Sequence, residues 1–309
     1  MVIIIFGATG FIGQHLTNKC IESNFSVLAI GRNFKSSLFE HNLITKMKVS
    51  EFISLNEEEL NVIYNDCKAF FYLAGNSVPS RYANCPEEEI EINIPMLMRI
   101  SKNFANLARK NSVFIYSSSA GMIYASSNEI KNEDSILAPI SSYGFTKQVS
   151  ENVLEFNSRV YNLKYCILRI SNPIGVWQNN PYQGVVASLI RAMKNDSEFI
   201  LYGNGEQKRD FIDADELSEG MLEVVNHYNN NCNFESTIYN IGSGVSYSIN
   251  EVIKIIENTS GKKIKINKVN ARDIDLIDVN INCDKVYKDT KWKATRDLAD
   301  ILSDLISLG

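Results

Sequence analysis

The stretch "IIIFGATGFIG", residues 3–13, decides the fold of the chain. An apolar run leads into Gly7, Gly10 and Gly13, and an amphipathic segment follows. This order predicts a buried strand, a tight turn and a helix, and glycine lets the backbone of such a turn approach a pyrophosphate group. The free N–H groups at the start of the helix favour the same negatively charged ligand. The stretch therefore predicts a dinucleotide-binding unit.

Short apolar runs alternate with amphipathic stretches along the first half of the chain. Strands are predicted at 2–6, 26–30, 47–53, 68–73, 111–117 and 164–170, and helices at about 11–23, 56–65, 86–109 and 143–161. Alternation of this kind predicts βαβ units and therefore an α/β fold, a Rossmann-type doubly wound parallel sheet. Pro95 should break the third of these helices near Asn93, because proline cannot donate the helical hydrogen bond.

Residues after 170 follow a looser pattern of short pieces and turns such as "YGNGEQ". We expect 171–208 and 241–309 to form a smaller C-terminal lobe that binds the substrate. Residues 1–170, joined by about 209–240, would then form the Rossmann domain that binds the cofactor.

Charge and composition exclude several classes of partner. The net charge of −5 and the lack of a long basic run argue against nucleic acid and acidic membrane surfaces. The segment "MVIIIFGATG" lacks the basic region of a signal peptide, and no apolar run approaches the roughly 20 residues of a membrane span. The six cysteines have no C-x-x-C spacing, and the three histidines form no metal-like cluster. We expect a cytoplasmic protein with reduced thiols and no metal site.

The segment "SSYGFTKQ" places Tyr143 and Lys147 on one face of a predicted helix. A lysine at this spacing can lower the pKa of the phenol and orient a cofactor ribose. The phenol can then exchange a proton with a substrate hydroxyl or carbonyl while a hydride moves. The pair is therefore a candidate catalytic site.

The same spacing occurs at Tyr64 with Lys68 and at Tyr287 with Lys291, so the spacing alone is not specific. The pair in "SSYGFTKQ" differs because a serine-rich strand end, "FIYSSSAGMIY", precedes it and supplies Ser119. Active sites of open α/β sheets form at the carboxyl ends of strands, where a serine can hydrogen-bond the same substrate oxygen.

Together these features resemble the extended short-chain dehydrogenase/reductase family of nucleotide-sugar epimerases, dehydratases and reductases. The segment "FGATGFIG" is similar to the cofactor loop of the family, and "YLAGNSV" to the fourth-strand segment that lies over the cofactor. Asn93 matches an asparagine that keeps the active site in shape. The resemblance implies these cofactor contacts: Gly7, Gly10, Phe11, Ile12, Gly13, Leu73, Ala74, Gly75, Asn93, Tyr143 and Lys147.

The resemblance also implies a nucleoside-diphosphate sugar as substrate. The segment "LRISNPIG" resembles the family's "LRYFNPTG" segment, which implies that Asn172 touches the substrate diphosphate. The segment "LYGNGEQKRDFIDADEL" is similar to "GDGxxxRDFxxVDD", which implies that Arg209 binds phosphate. The segment "ARDID" resembles the family's C-terminal arginine–aspartate pair, so Arg272 and Asp275 would hold the nucleotide.

The catalytic set implied by the resemblance is Ser119, Tyr143 and Lys147. Counting back from Tyr124 places the family's catalytic hydroxyl on Ala120, and one extra residue in this loop would restore Ser119. Ser118 is the next candidate for the hydroxyl.

The neighbouring residues narrow the reaction. The family's sugar 4,6-dehydratases place an Asp-Glu pair just after the catalytic hydroxyl, where this chain has Ala120 and Gly121. Its 3,5-epimerase/reductases need an extra cysteine and histidine near the site, and "SSSAGMIY" has no cysteine. A 4-epimerase, a ketoreductase and a non-catalytic relative that senses the cofactor are left.

The segment "VLAIGRNFK", residues 27–35, bears on the cofactor. NAD-using epimerases of the family have an aspartate at the position of Gly31, and this carboxylate would repel a 2′-phosphate. Here Arg32 follows instead, and its guanidinium can pair with that phosphate, assisted by Asn33 and Lys35. We therefore expect NADP, used as NADPH, with NAD as the alternative.

The leading hypothesis is an NADPH-dependent reductase of a nucleoside-diphosphate-linked 4-keto-6-deoxyhexose, such as dTDP-4-dehydro-6-deoxyglucose, in deoxysugar biosynthesis for surface polysaccharide. The alternative is a UDP-hexose or UDP-N-acetylhexosamine 4-epimerase with bound NAD. The helices at 95–109 and 143–161 resemble those that form a four-helix dimer interface in the family, so a homodimer is expected.

Overall fold

The computed structural model describes residues 2–75, 86–127, 129–178, 184–230, 235, 237–271 and 280–308. Its strands are β1 (Val2–Phe6), β2 (Ser26–Gly31), β3 (Ile44–Lys48), β4 (Cys67–Tyr72), β5 (Val113–Ser119), β6 (Tyr165–Ile170), β7 (Asn172–Ile174), β8 (Glu198–Tyr202), β9 (Lys208–Asp213), β10 (Thr237–Ile241), β11 (Ser246–Ser248) and β12 (Lys265–Val269). Its helices are α1 (Phe11–Glu22), α2 (Val49–Ser54), α3 (Glu57–Asn65), α4 (Pro86–Leu107), α5 (Ala120–Ile123), α6 (Ser142–Tyr161), α7 (Val185–Lys194), α8 (Ala214–Asn230), α9 (Ile249–Ser260), α10 (Asp284–Thr290) and α11 (Leu298–Ser307).

The central sheet has seven strands in the order β10-β6-β5-β4-β1-β2-β3, and every neighbouring pair is parallel. The strand order reverses at β1, whose neighbours are β2 and β4. In such a sheet the crossover connections lie on opposite faces to either side of the reversal, and a crevice opens at the carboxyl ends of the strands. The Rossmann-type α/β prediction is confirmed.

Both faces of the central sheet are covered, which explains the continuous apolar run of β1. Ile3 and Ile5 belong to one buried cluster, and Ile4 and Phe6 belong to another. Side chains alternate along a strand, so these two clusters lie on opposite faces of the sheet. A parallel sheet buried on both sides requires such runs, and this burial fixes the strand register.

The segments after β6 build two smaller sheets. One has the order β11-β9-β7, and the other pairs β12 with β8. A third buried cluster joins α7, α9 and α11 beside them. Strand β10 returns to the central sheet next to β6, whereas β9 pairs with β7 and β11. The division into 1–170 with about 209–240, and 171–208 with 241–309, stays a prediction. In the ranges that the structure describes, none of the helices has the length and apolarity to cross a membrane.

The strand predicted at 47–53 is wrong in most of its length. Strand β3 ends at Lys48, and residues 49–54 form helix α2. The Glu51 carboxylate accepts a hydrogen bond from the backbone N–H of Lys48 at 3.0 Å, which satisfies a donor at the start of this helix. Phe52 is then buried against the sheet. A short apolar run does not distinguish a strand from a buried helical turn.

The predicted break of the third helix near Asn93 is also wrong, because α4 runs without interruption from Pro86 to Leu107 with Pro95 inside it. Its buried residues Leu97, Ile100 and Phe104 join a core cluster, and this burial outweighs the lost hydrogen bond. Tertiary packing therefore overrides the local preference.

Replacing Pro95 by alanine should increase the free energy of unfolding by about 1 to 2 kcal/mol, because the restored N–H donates to the carbonyl four residues earlier. Pro86→Ala is the matched control, since Pro86 begins α4 and its missing N–H has no partner inside the helix. Urea unfolding of both variants measures the difference. Equal effects of the two substitutions would contradict this account of the helix.

Candidate active site

The glycine loop at the end of β1 packs closely against its neighbours. Gly7 has a φ of 103° and its N–H donates to the Ile30 carbonyl at 2.9 Å. A Cβ on Gly7 would lie 2.8 Å from the backbone nitrogen of Ala74, and one on Gly13 would lie 2.2 Å from the Gly7 carbonyl oxygen. Only glycine fits at these two positions, because backbone atoms would have to move for any larger residue.

The start of α1 is suited to an anion. Its N-cap residue is Gly10, no side chain of the described residues caps it, and its first turn holds no acidic residue. Phe11 and Ile12 form this first turn beside the crevice. The N–H groups and the positive dipole end of the helix are therefore available to a pyrophosphate, which fits a dinucleotide cofactor.

The end of β2 differs from a site built for a ribose diol. A Cβ on Gly31 would lie 2.4 Å from Cγ2 of Thr9, so Thr9 fills the space next to Gly31. The Arg32 backbone N–H lies 3.4 Å from Oγ1 of Thr9, and the side chains of Arg32, Asn33 and Lys35 are exposed. Because position 31 is a glycine, it carries no carboxylate that would repel a phosphate group near these three side chains.

Sequence reasoning missed Lys48 at the same edge. Lys48 ends β3 and lies opposite Gly31 in the strand register, and it is exposed. The pairing of β2 with β3 brings it to the same edge of the sheet as Arg32. A second cation at this position strengthens the attraction for a phosphate group.

The three residues of the predicted catalytic set come together at the carboxyl end of β5. Ser119 ends β5, and its hydroxyl forms a hydrogen bond with Tyr143 on α6. Nζ of Lys147 donates to the Ser117 carbonyl at 2.6 Å and lies 5.6 Å from the centre of the Tyr143 ring. By contrast, Tyr64 of the second pair with this spacing is wholly buried in the core.

Burial dominates the ionisation of this pair. It raises the pKa of Tyr143 to about 12, against the lowering effect of the hydrogen bond to Ser119. It lowers the pKa of Lys147 to about 8, although the carboxylates of Glu151 and Glu89 act in the opposite direction. In the free protein, desolvation penalises the phenolate of Tyr143 more than its polar neighbours favour it. The lowering of the phenol pKa by Lys147 stays a prediction.

Ser118 faces a different environment from Ser119. Its hydroxyl donates to Oε1 of Glu151 at 2.5 Å, within a buried network. Glu151 also accepts two hydrogen bonds from Arg169, at 2.8 and 3.1 Å. Successive residues of a strand point to opposite faces, so Ser118 and Ser119 cannot both reach Tyr143. Of the two serines, Ser119 is the one whose side chain interacts with Tyr143.

The Glu151–Arg169 ion pair was not anticipated from sequence. It joins α6 to β6, and Arg169 donates further to the Tyr124 hydroxyl at 3.0 Å and to the Glu133 carbonyl at 2.8 Å. Both partners are almost inaccessible to solvent. A buried pair with this many hydrogen bonds holds its elements in one arrangement, because loss of either partner would leave a charge unpaired.

Asn172, one of the predicted substrate contacts, lies near Ser119. Nδ2 of Asn172 donates to the Asp210 carbonyl at 2.8 Å. A Cβ on Gly121 would lie 3.8 Å from Oδ1 of Asn172 and 3.9 Å from Oγ of Ser119, so these three residues border one space. A larger side chain would fit at position 121. The site therefore lacks the acid and base of a dehydratase because residues 120 and 121 are alanine and glycine, and not because room is lacking.

Of the remaining predicted contacts, the structure describes Arg209 and Leu73. Arg209 lies on β9, and its guanidinium donates to the Lys208 carbonyl at 2.7 Å. Arg272 and Asp275 lie outside the described residues. Leu73 follows β4, and its N–H donates to the Phe6 carbonyl at 2.8 Å.

A cavity of about 20 Å³ lies between β4, β5, α4 and α6. It brings together predicted contacts from three separate parts of the sequence: Ala74, Gly75, Asn93, Tyr143 and Lys147. The same cavity is lined by Glu89, which sequence reasoning missed because "EEEIEI" is typical of an exposed first helical turn.

Comparisons with known proteins identify the family to which the chain is similar. A family model described as the NAD dependent epimerase/dehydratase family matches residues 3–242. A dTDP-4-dehydro-6-deoxyglucose reductase from Escherichia coli is 27% identical over 318 residues, which cover 98% of this chain and 96% of the relative. A putative UDP-glucose 4-epimerase from Methanocaldococcus jannaschii is 27% identical over 270 residues, which cover 84% and 83%.

Among solved structures, the UDP-glucose 4-epimerase of Thermotoga maritima with UDP-glucose matches with a TM-score of 0.85 and 26% identity, and the match covers 99% of this chain and 98% of that chain. The chain is thus similar over most of its length both to a reductase and to epimerases that act on nucleotide sugars.

Proposed function

Since this chain belongs to the NAD dependent epimerase/dehydratase family, as its resemblance to the extended short-chain dehydrogenases/reductases predicted, we propose that it is an NADPH-dependent 4-ketoreductase. Its substrate would be a nucleoside-diphosphate-linked 4-keto-6-deoxyhexose, such as dTDP-4-dehydro-6-deoxyglucose. Such a reaction belongs to cytoplasmic deoxysugar biosynthesis for surface polysaccharide.

The observation that carries the proposal is the end of β2. Thr9 fills the space beside Gly31, and Arg32 with Lys48 offers positive charge at the same edge. This arrangement suits the 2′-phosphate of NADP, which a carboxylate at position 31 would repel. A reductase must exchange its cofactor in each turnover, and cells keep NADP largely reduced, so NADPH suits this reaction.

The residues of the site would divide the reduction as follows. The hydride for C4 of the ketone would come from NADPH once it is bound. Ser119 donates a hydrogen bond to the carbonyl oxygen, and Tyr143 transfers its proton to the same oxygen as the C–H bond forms. Lys147 orients the cofactor ribose and stabilises the phenolate that Tyr143 leaves. A proton from solvent then restores Tyr143, so that ketone, NADPH and one proton yield alcohol and NADP⁺.

The second candidate is a UDP-sugar 4-epimerase, which the similarity to the Thermotoga maritima and Methanocaldococcus jannaschii proteins favours. An epimerase would use the same tyrosine, but it would return the hydride to the opposite face of C4. Its cofactor would stay bound and would not be consumed.

Incubation of the protein with NADPH and dTDP-4-dehydro-6-deoxyglucose should oxidise one NADPH for each ketone reduced, followed by nicotinamide absorbance. Tyr143→Phe should lower turnover by a factor of about 10³ and keep NADPH affinity within about threefold, because only the transferred proton is lost. Conversion of UDP-glucose to UDP-galactose without added cofactor, and no oxidation of NADPH, would establish the epimerase instead. Failure to bind any nucleotide sugar would favour the hypothesis that the protein is a non-catalytic relative that senses the cofactor.

Replacing Arg32 by alanine should raise the Kd of NADPH by a factor of about 10 to 100, because a charged hydrogen bond to the 2′-phosphate is lost. The Kd of NADH should change by less than about twofold. Lys263→Ala is a control for net charge, since Lys263 is 86% exposed and pairs with Glu257 far from the loop. Equal weakening of NADPH and NADH would show that Arg32 does not recognise the 2′-phosphate.

We also propose that the protein forms a homodimer through α4 and α6. These helices pack together and leave apolar side chains exposed, among them Met98, Phe156 and Val160. Light scattering should therefore give about twice the chain mass of 34.9 kDa. Phe156→Lys should yield a monomer, and a wild-type monomer would refute the proposal.

A further inference from the structure

Glu89 is a buried carboxylate that makes no direct hydrogen bond in the described part of the chain. Its exposure is 0%, and neither Oε1 nor Oε2 has a hydrogen-bond partner among the described residues. Glu87 and Glu88, which precede it on α4, are exposed. Burial of an unpaired carboxylate costs several kcal/mol, so an apolar residue here would give a more stable protein. Its presence at this position therefore points to a role in the site.

The cavity beside Glu89 holds a second side chain with an unused polar atom. Oγ1 of Thr146 is buried and has no hydrogen-bond partner in the described part of the chain, and it lines the same cavity as Lys147. A cavity of about 20 Å³ has room for one water molecule, which needs two to four polar partners. The carboxylate, the hydroxyl and the Lys147 ammonium supply them.

The tyrosines that face this cavity do not supply a negative charge to Lys147. Tyr72 on β4 and Tyr116 on β5 have their pKa raised by burial, and Tyr143 on α6 has a pKa of about 12 for the same reason. All three phenols are therefore neutral at physiological pH.

The second carboxylate near Lys147 is already engaged. Glu151 lies behind Lys147 on α6 and forms its buried ion pair with Arg169 at 2.8 Å. Glu151 raises the pKa of Lys147 more than Glu89 does, but its charge is shared with Arg169. Glu89 is the carboxylate whose charge is unshared.

We propose that Glu89 is a positioning residue that serves as the counter-ion of Lys147 across the cavity, with one bridging water, and keeps the Lys147 ammonium charged during turnover. The functional consequence rests on the proposed function, because a charged Lys147 stabilises the Tyr143 phenolate formed when the substrate takes its proton. The benefit acts through Lys147, since the charge of Glu89 by itself raises the pKa of Tyr143. The electrostatic role itself belongs to the free protein. Burial holds the pKa of Lys147 at about 8 even with Glu89 present, so loss of the Glu89 charge would bring this pKa close to physiological pH and leave part of the amine neutral there.

The test measures the charge of Lys147 directly. The protein is labelled with lysine carrying ¹³C at the ε-carbon and titrated by NMR without cofactor, and the Lys147 signal is assigned by its absence in Lys147→Arg. The wild-type midpoint should lie near pH 8. Glu89→Gln keeps the shape and removes the charge, so the midpoint should fall by about one pH unit.

Glu91→Gln is the matched control, because Glu91 lies on the same helix and is exposed. Its midpoint should stay at the wild-type value. Should Glu89→Gln not fold, Glu89→Met offers a similar volume without charge and carries the same expectation. An unchanged Lys147 midpoint in the folded Glu89 variant would overturn the counter-ion role, whichever reaction the protein catalyses.

The pH profile of turnover separates this inference from the proposed function. In Glu89→Gln the alkaline limb of kcat should move to lower pH in step with the NMR midpoint, and a structural defect would lower kcat equally at every pH. A shifted midpoint in a protein that neither oxidises NADPH nor binds a nucleotide sugar would retain the counter-ion and reject the reductase.

Discussion

The reversal of strand order at β1 is the constraint on which the rest of the structure depends. The strand order runs away from β1 on both sides, so the crossover connections lie on opposite faces of the sheet and a crevice opens at the carboxyl ends of the strands. The glycine loop after β1, the end of β4 and the end of β5 all open into it. Close approach of Gly7 to Ala74 shows how tightly the loop and β4 meet, and this contact leaves the helix N-terminus free for a pyrophosphate.

A second constraint is electrostatic and operates beneath the crevice. The Glu151–Arg169 pair fixes α6 to β6, and Lys147 donates to the carbonyl of Ser117 on β5. Tyr143 and Lys147 are thereby both held in buried positions, where desolvation shifts the pKa of each. Desolvation raises the pKa of the phenol and lowers that of the amine, so it shifts both groups toward their neutral forms. Nearby carboxylates then decide how much positive charge Lys147 retains.

A reductase and the second half of an epimerase reaction both deliver a hydride to C4 of a 4-keto sugar, with a proton from the tyrosine. Relatives of both kinds are 27% identical to the chain. The difference lies in whether the cofactor leaves after one transfer. In this structure the feature that bears on the cofactor is at the rim, where Arg32 and Lys48 are exposed, and it is remote from Tyr143. Cofactor choice and proton transfer can therefore vary independently in this fold.

The sequence by itself determined the parallel α/β fold, the glycine loop and the Tyr143–Lys147 pair with its serine-rich strand end. These features depend on local patterns, because apolar runs, glycine spacing and helical spacing act over a few residues. Only the tertiary structure decided the helical form of residues 49–54, the continuity of α4 through Pro95, the separate environments of Ser118 and Ser119, and the burial of Glu89. Each of these depends on contacts between segments far apart in the chain, and burial, which sets the cost of a charge, exists only once those segments have packed.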